Sequence, residues 1–414
     1  MLSPLIKNTN FRYYTFVLVI LFMKLHSQDI NSQYSLELNP GISNQWWSQY
    51  NNYGRELSEI GLTYKTNYKM KNVNLRLNIF ASKNQIHIGE SYIKSKLFSN
   101  TYLRAGKYYK DFSKYLNDDL SSGSLLISNN AEPMPKVGLL SSYKFKKNQN
   151  INFNFGISHG LFSTSQAYET APMLHEKFIY LNYVKNKNEL SVGLVHEAIW
   201  GGSTKEYGKF PNSFKDFFKI FISSDGPFVE GSDHANALGN HLGIWDFSYQ
   251  KKTIDKVFKL YYQHFFEDTS GLRFANKSDG LWGVELSNYI KNTNILIEYL
   301  NTTNQDRDPP YVNDNYYNHY EYIEGWSYKG YSIGNPFIDF NDSNPSKVLH
   351  IGISSFKKNK YDYQFLLSRK INTSDSIKYK LSVDKIINHY LVGIVISGNE
   401  KGSKNIGIKF SYNL

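Results

Sequence analysis

The chain has 414 residues, 41% hydrophobic and 16% aromatic, with a formal charge of +11 and a mean hydropathy of −0.49. It has no cysteine, which excludes disulfides, thiol nucleophiles, thiolate metal sites and a lipoprotein anchor together. The aromatics are 34 Tyr and 27 Phe against 6 Trp, a mixture suited to half-buried strands and membrane interfaces.

Residues 1–27 read as a secretory signal: Lys7 and Arg12 precede or enter an apolar run from Tyr14 to Met23, and Ser27 offers a small residue for cleavage. Ten apolar residues fall short of the ~20 that a spanning helix needs. Cleavage after Ser27 would remove three positive charges, Lys7, Arg12 and Lys24, and leave residues 28–414 as one folded unit. The remaining positive excess suits anionic lipid head groups or acidic polysaccharide.

Beyond the signal, the pattern is alternation. Val73, Leu75, Leu77 and Ile79 oppose Asn74, Arg76 and Asn78; Ile151, Phe153, Phe155 and Ile157 repeat the pattern, as do Ile377, Tyr379, Leu381 and Val383. Strands are predicted near 33–40, 56–68, 72–80, 86–96, 101–109, 136–145, 150–158, 176–184, 188–197, 240–249, 256–265, 281–289, 293–300, 347–356, 361–371, 376–384, 388–397 and 404–414. The last places Ile406, Ile408, Phe410, Tyr412 and Leu414 on one face, with Gly407, Lys409, Ser411 and Asn413 on the other.

A soluble sandwich also alternates, so the connections decide. Every second one is short and basic or Asn-rich ("KMK", "KKNQ", "KNK", "QKKTID", "IKN", "KKNK"), and every long one, 110–135, 159–175, 198–239, 266–280 and 301–346, falls in the other set. Short periplasmic turns and long extracellular loops define the fold class: an all-β, transmembrane antiparallel β-barrel of about 18 strands in the bacterial outer membrane. Such a chain implies outer-membrane lipid and lipopolysaccharide as surroundings and the barrel-assembly machinery during biogenesis. Two loop stretches read as partly helical, "KDFSKYLNDDL" and "PNSFKDFFKIF"; in the second, Pro211 fits a first helical position and Phe214, Phe217, Phe218 and Phe221 share a face. A helix folded inward would block the lumen.

The chemistry-bearing residues lie in and beside the long loops. "HEAIW" has Trp200 where a zinc motif needs its second histidine, so no metal ligand set and no cofactor is predicted. "HFFEDTSGLRFANKSDGLWG" gathers Asp268, Asn276, Asp279 and Trp282, "HANALGNHLGIWDF" supplies Asp246, and the Tyr-rich "YYNHYEYIEGWSYKGYSIGNPF" contains Trp326. Carboxylates and amides can take sugar hydroxyls while indole rings stack on the apolar faces of sugars. Trp200, Asp246, Asp268, Asn276, Asp279, Trp282 and Trp326 are therefore the candidate carbohydrate-binding residues. Carboxylates and histidines in and beside the 266–280 loop could serve as general acid and base in a hydrolase, a lumen lined by Arg76, Lys378, Lys380 and Lys409 could serve as a porin-like channel, and all these groups could simply fix loops. Nucleic acid is not an expected partner at this location.

The motifs "HEAIWGG", "GNHLGIWDF", "FEDTSGLRFANKSDGLWG" and "GWSYKGYSIGNP", in that order from about residue 35 onward, resemble the Wzi capsule assembly family in its Bacteroidetes form. The resemblance implies an eighteen-stranded outer-membrane barrel acting as a surface lectin for exported capsular or extracellular polysaccharide, with no enzymatic activity.

Overall fold

The computed structural model describes residues 30–38, 51–55, 59–83, 85–226, 237–267, 272–305, 315–341, 344–356, 361–374, 377–402 and 404–413. The expected signal segment, Asp268 and Leu414 lie outside them. Eighteen antiparallel staves close on themselves: β1 Ile30–Leu38, β2 Ile60–Lys69, β3 Val73–Ser82, β4 in two pieces (Ile86–Ile88 and Ser91–Phe98), β5 Thr101–Lys107, β6 Pro135–Lys144, β7 Ile151–Leu161, β8 Met173–Lys185, β9 Asn188–Trp200, β10 Asn240–Lys252, β11 Val257–Phe266, β12 Gly280–Ser287, β13 Thr293–Asn301, β14 Lys347–Ser355, β15 Tyr361–Lys370, β16 Lys378–Ile387, β17 Tyr390–Asn399 and β18 Lys404–Asn413. Each predicted strand corresponds to one of these, with ends displaced by a few residues.

Closure is made by the C-terminal strand, whose Tyr412, Phe410 and Ile408 lie opposite Tyr34, Leu36 and Leu38 of β1. A closed sheet leaves no unpaired edge, which a membrane-spanning sheet cannot tolerate. Ile406, Ile408 and Phe410 are 54%, 46% and 41% exposed, whereas Gly407 between them and Ser411 just beyond are buried. The same outward exposure recurs at Ile93, Leu139, Phe155, Ile179, Val192, Ile297 and Ile394 around the wall. Apolar surface that encircles the molecule, with polar residues inside, is the lipid-facing belt of a membrane barrel.

Lysine at a mid-membrane position on that face costs roughly 2–4 kcal/mol. Phe410→Lys should accordingly impair refolding into lipid vesicles, while Lys409→Ala, which changes a residue lining an internal cavity, should be mild. Equal yields of the two variants in a gel-shift folding assay would contradict this facing.

One α-helix is present among the described residues, α1 Phe214–Ile222. Its N-cap is Ser213, whose hydroxyl accepts from the Asp216 amide while Asp216 bonds back, so Pro211 lies two positions before the cap and not at the first helical position expected of it. The second expected helix is absent: 110–120 runs as bends and turns. The amides that a helix would use, Leu116 and Asn117, instead donate to the Glu285 carboxylate, and Asn117 turns the chain by accepting from Asp119. Charged acceptors on the wall outcompete helical carbonyls in a segment rich in Asp, Asn and Ser.

Candidate functional site

Residues 108–134 leave β5, cross the lumen and return to β6, and their path is set by polar side chains that the alternation of the strands points inward. Asp246 on β10 accepts from Ser113 Oγ and Tyr180 Oη, both at 2.7 Å. Glu285 on β12 takes the Leu116 and Asn117 amides at 2.8 and 3.1 Å. His350 on β14 meets the Leu120 carbonyl at 2.7 Å, where Gly352 keeps the wall bare: a Cβ there would lie 2.7 Å from the same oxygen. On the way back, Glu298 of β13 accepts from Ser121 Oγ and the Ser122 amide at 2.7 and 2.6 Å, and Gln263 of β11 from the Leu125 amide at 3.1 Å. Lys136 and Glu176 complete the wall as a buried pair at 2.9 Å. Each of these wall charges is thus partnered, which makes its removal from water tolerable.

A second layer caps this plug. Trp326 is fully buried, with Nε1 donating to the Leu126 carbonyl at 2.9 Å. Asn335 Nδ2 donates to the Gly123 carbonyl at 2.7 Å, and Ser128 Oγ to the Gly334 carbonyl at 2.6 Å. Tyr316, Tyr317, Tyr322, Phe337 and Ile338 pack with Leu125, Leu126 and Phe265 into one apolar cluster. Segment 315–341 is therefore a lid whose core is shared with the plug.

The candidate residues take three positions. Asp246, Asn276, Asp279 and Trp326 are buried inside: Asn276 Nδ2 donates to Tyr316 Oη at 2.8 Å and to the Phe265 carbonyl at 3.0 Å, and Asp279 accepts from Asn304 N and Tyr316 Oη, each at 2.9 Å. Trp200 points outward from β9 and is covered by Phe217 of α1 at 5.5 Å. Trp282 also points outward, 40% exposed, stacked on Tyr262 at 3.7 Å in a ladder that continues to Phe247 and Trp245. Such a ladder is the aromatic girdle of a membrane barrel. The wall groups that tether the plug, Glu285, Glu298, Gln263 and His350, were missed by sequence reasoning. Their signal was acids and amides at inward-facing positions of otherwise apolar strands.

The lid and the neighbouring 203–209 hairpin present a tyrosine ledge outward. Tyr320 is 52%, Ile323 49% and Tyr207 45% exposed, and His319 stacks on Tyr320 at 4.8 Å. The Tyr207 phenol holds its proton more tightly than usual, through desolvation and then the negative charge of Glu206, with Glu321 and Tyr320 contributing, so these groups share one neighbourhood. At the lid margin a cavity of about 500 Å³ is lined by His87, Glu132, Lys329 and Tyr331. Burial alone would raise the Glu132 pKa, but hydrogen bonds and charge from Lys329 and Lys107 outweigh it and keep the group below its ordinary range. Beneath the plug, a polar chamber of about 420 Å³ is lined by Glu37, Arg55, Lys65, Asp119, Lys380, Asp384 and Lys409.

The lid carries its own pH dependence. His319 Nδ1 accepts from the amides of Glu321 and Tyr322, both at 3.2 Å, and burial, with His241 nearby, lowers its pKa to about 4. An unfolded histidine protonates near 6.5. Below that pH the unfolded lid binds this proton first, so the His319 contribution to lid stability falls from pH 6.5 towards pH 4 and is constant above it. Limited proteolysis within 315–341 should be faster at pH 5 than at pH 7, and His319→Asn should lose that difference; a pH-independent rate in the unmodified protein would contradict it.

A closed antiparallel sheet with an apolar belt outside, a polar wall inside and loops folded into its mouth is an outer-membrane β-barrel. The chain belongs, within that class, to the capsule assembly protein Wzi family, whose model matches residues 31–342. Wzi of Escherichia coli, described as an outer membrane protein involved in group 1 capsule assembly and a carbohydrate-binding β-barrel, is similar in structure: TM-score 0.62 at 14% identity, over 96% of this chain and 87% of that one. A mutant of the Rh. blastica porin aligns at 8% identity with TM-score 0.38, over 93% of this chain and 99% of that one. No curated protein sequence matches the chain.

Proposed function

We propose that the chain is a surface lectin of the outer membrane, which binds exported capsular or extracellular polysaccharide through its loop-built outer face and retains or organises it there without cleaving it. The observation that carries this reading is the exposed ledge of Tyr207 and Tyr320 with Glu206 and Glu321, set on a plugged barrel. Phenol rings offer apolar faces to sugar C–H groups, and carboxylates accept from hydroxyls. Family membership and the carbohydrate binding described for the Escherichia coli relative support the same conclusion. Asp246, Asn276, Asp279 and Trp326 enter this reading as the frame beneath the binding face.

Two observations weigh against the other readings. Catalysis on a glycosidic bond needs two carboxyl groups flanking an open cleft, whereas Asp246, Asp279, Glu285 and Glu298 are occupied as acceptors for plug and lid. A porin needs a lumen clear of protein, and here the 108–134 segment crosses it.

The test is binding of the purified barrel to polysaccharide extracted from the cells that make it. Each stacked ring should contribute about 0.5–1.5 kcal/mol, so Tyr207→Ala with Tyr320→Ala should weaken binding by roughly fivefold or more. Unchanged affinity in the folded double variant, or shortening of the polysaccharide during incubation, would overturn the proposal.

A further inference from the structure

The outer wall carries a feature that sugar binding does not use. Glu176, Phe178 and Tyr180 on β8 face the plug, Phe178 meeting Phe112 at 5.9 Å, so alternation turns His175, Lys177 and Ile179 outward. In register with them on β9 and β10, His196, Ala198 and His241 face outward too. Yet His175 is fully buried, and His196 and His241 are 6% and 5% exposed. Their cover is α1, which lies against the outside of the barrel. Phe217 contacts His159, His175 and Trp200 at 5.2–5.5 Å, Ile220 is fully buried, and Ser223 Oγ lies 3.0 Å from His196 Nε2.

Strands β8, β9 and β10 have 13 residues each, more than the 9–11 that span the bilayer. The helix sits at their loop-bearing end, directly above the lipid belt of Phe155, Ile179, Leu181 and Val192. Its remaining surface is apolar where solvent would be expected: Phe214 is 76%, Phe218 54%, Phe221 37% and Ile222 69% exposed. Lysines flank it. Lys177 places its ammonium 4.3 Å from the Phe221 ring and donates to the Phe221 carbonyl, Lys219 donates to the Asp225 carbonyl at 3.2 Å, and Lys215 is exposed.

We propose that α1 is an interfacial anchor that docks on the outer leaflet, inserting Phe214, Phe218, Phe221 and Ile222 among acyl chains and presenting Lys177, Lys215 and Lys219 to the phosphates of lipid A. A basic, aromatic helix continuous with a lipid-facing belt fits a phosphorylated glycolipid surface. Docking holds the barrel at a fixed depth and tilt, and it keeps the wall histidines sealed from lipid.

The absence of native cysteine allows a single thiol to report. Phe218→Cys carrying an environment-sensitive dye is compared with Tyr207→Cys on the exposed ledge, in barrels refolded into phosphatidylcholine vesicles with or without lipid A, folding being verified by gel shift. With lipid A, iodide quenching at position 218 should be at least about threefold weaker than at 207. Lys215→Glu with Lys219→Glu should restore quenching while the barrel stays folded. Equal quenching at 218 and 207 with lipid A present would overturn the proposal, as would protection that is identical without lipid A. Protection that arises only when outer-membrane proteins are added would show a protein occupant and overturn it as well.

Discussion

Replacing Glu285 and Glu298 together by alanine is expected to convert a closed barrel into a conducting one. The two carboxylates take the Leu116, Asn117 and Ser122 amides and the Ser121 hydroxyl, at 2.6–3.1 Å, from a segment that crosses the lumen. Loss of each acceptor leaves buried donors unsatisfied, at about 1–3 kcal/mol per group. The ties left to Leu116–Ser122 are then chiefly His350 and Gln364 on the Leu120 and Asp119 carbonyls, so this stretch should detach from β12 and β13 while the strand ladder, which these side chains do not support, stays closed. In planar bilayers the unmodified protein should give few events and the double variant frequent, long openings. Equally rare openings in a double variant that folds would show that the lid alone seals the mouth.

The second large effect is at Trp326. Removing a fully buried tryptophan costs about 3–5 kcal/mol, and here it also removes the donor to the Leu126 carbonyl. Trp326→Ala should expose amides 122–128 and 326–337 to hydrogen exchange and weaken polysaccharide binding as the ledge loses its support. Trp326→Phe should recover much of the packing without the hydrogen bond. If Trp326→Ala abolished binding with exchange unchanged, the indole would be a direct sugar contact and the lid core would need another explanation.

The barrel was legible in the sequence because two periodicities coincide. A strand shows its facing in every second residue, as Ile406, Ile408 and Phe410 do, and connection length alternates between the two ends. The plug was not legible. Residues 110–120 carry a pattern compatible with a helix, and what overrides it is Glu285, 169 residues from Leu116 in sequence, which no local reading pairs with it. The helix α1 was legible through its Phe spacing, yet its place outside the wall follows only from the register of β8–β10. Asp246, Asp279 and Trp326 stand out in the sequence for the residue types that make good sugar ligands. Carboxylates and indoles also satisfy buried amides and fill cores, and burial alone separates the two uses. Tyr207 and Tyr320 were hidden among many tyrosines, most of the lid's being buried.

Retention of polysaccharide by the tyrosine ledge is measured most directly as the cell-bound fraction of that polysaccharide in cells lacking the native chain and supplied with either the unmodified protein or the Tyr207→Ala, Tyr320→Ala variant. Total polysaccharide and chain length should be the same in both, with the variant shifting material from the cell surface into the medium. An unchanged cell-bound fraction with the variant folded in the outer membrane, or a change in total amount or chain length, would contradict it.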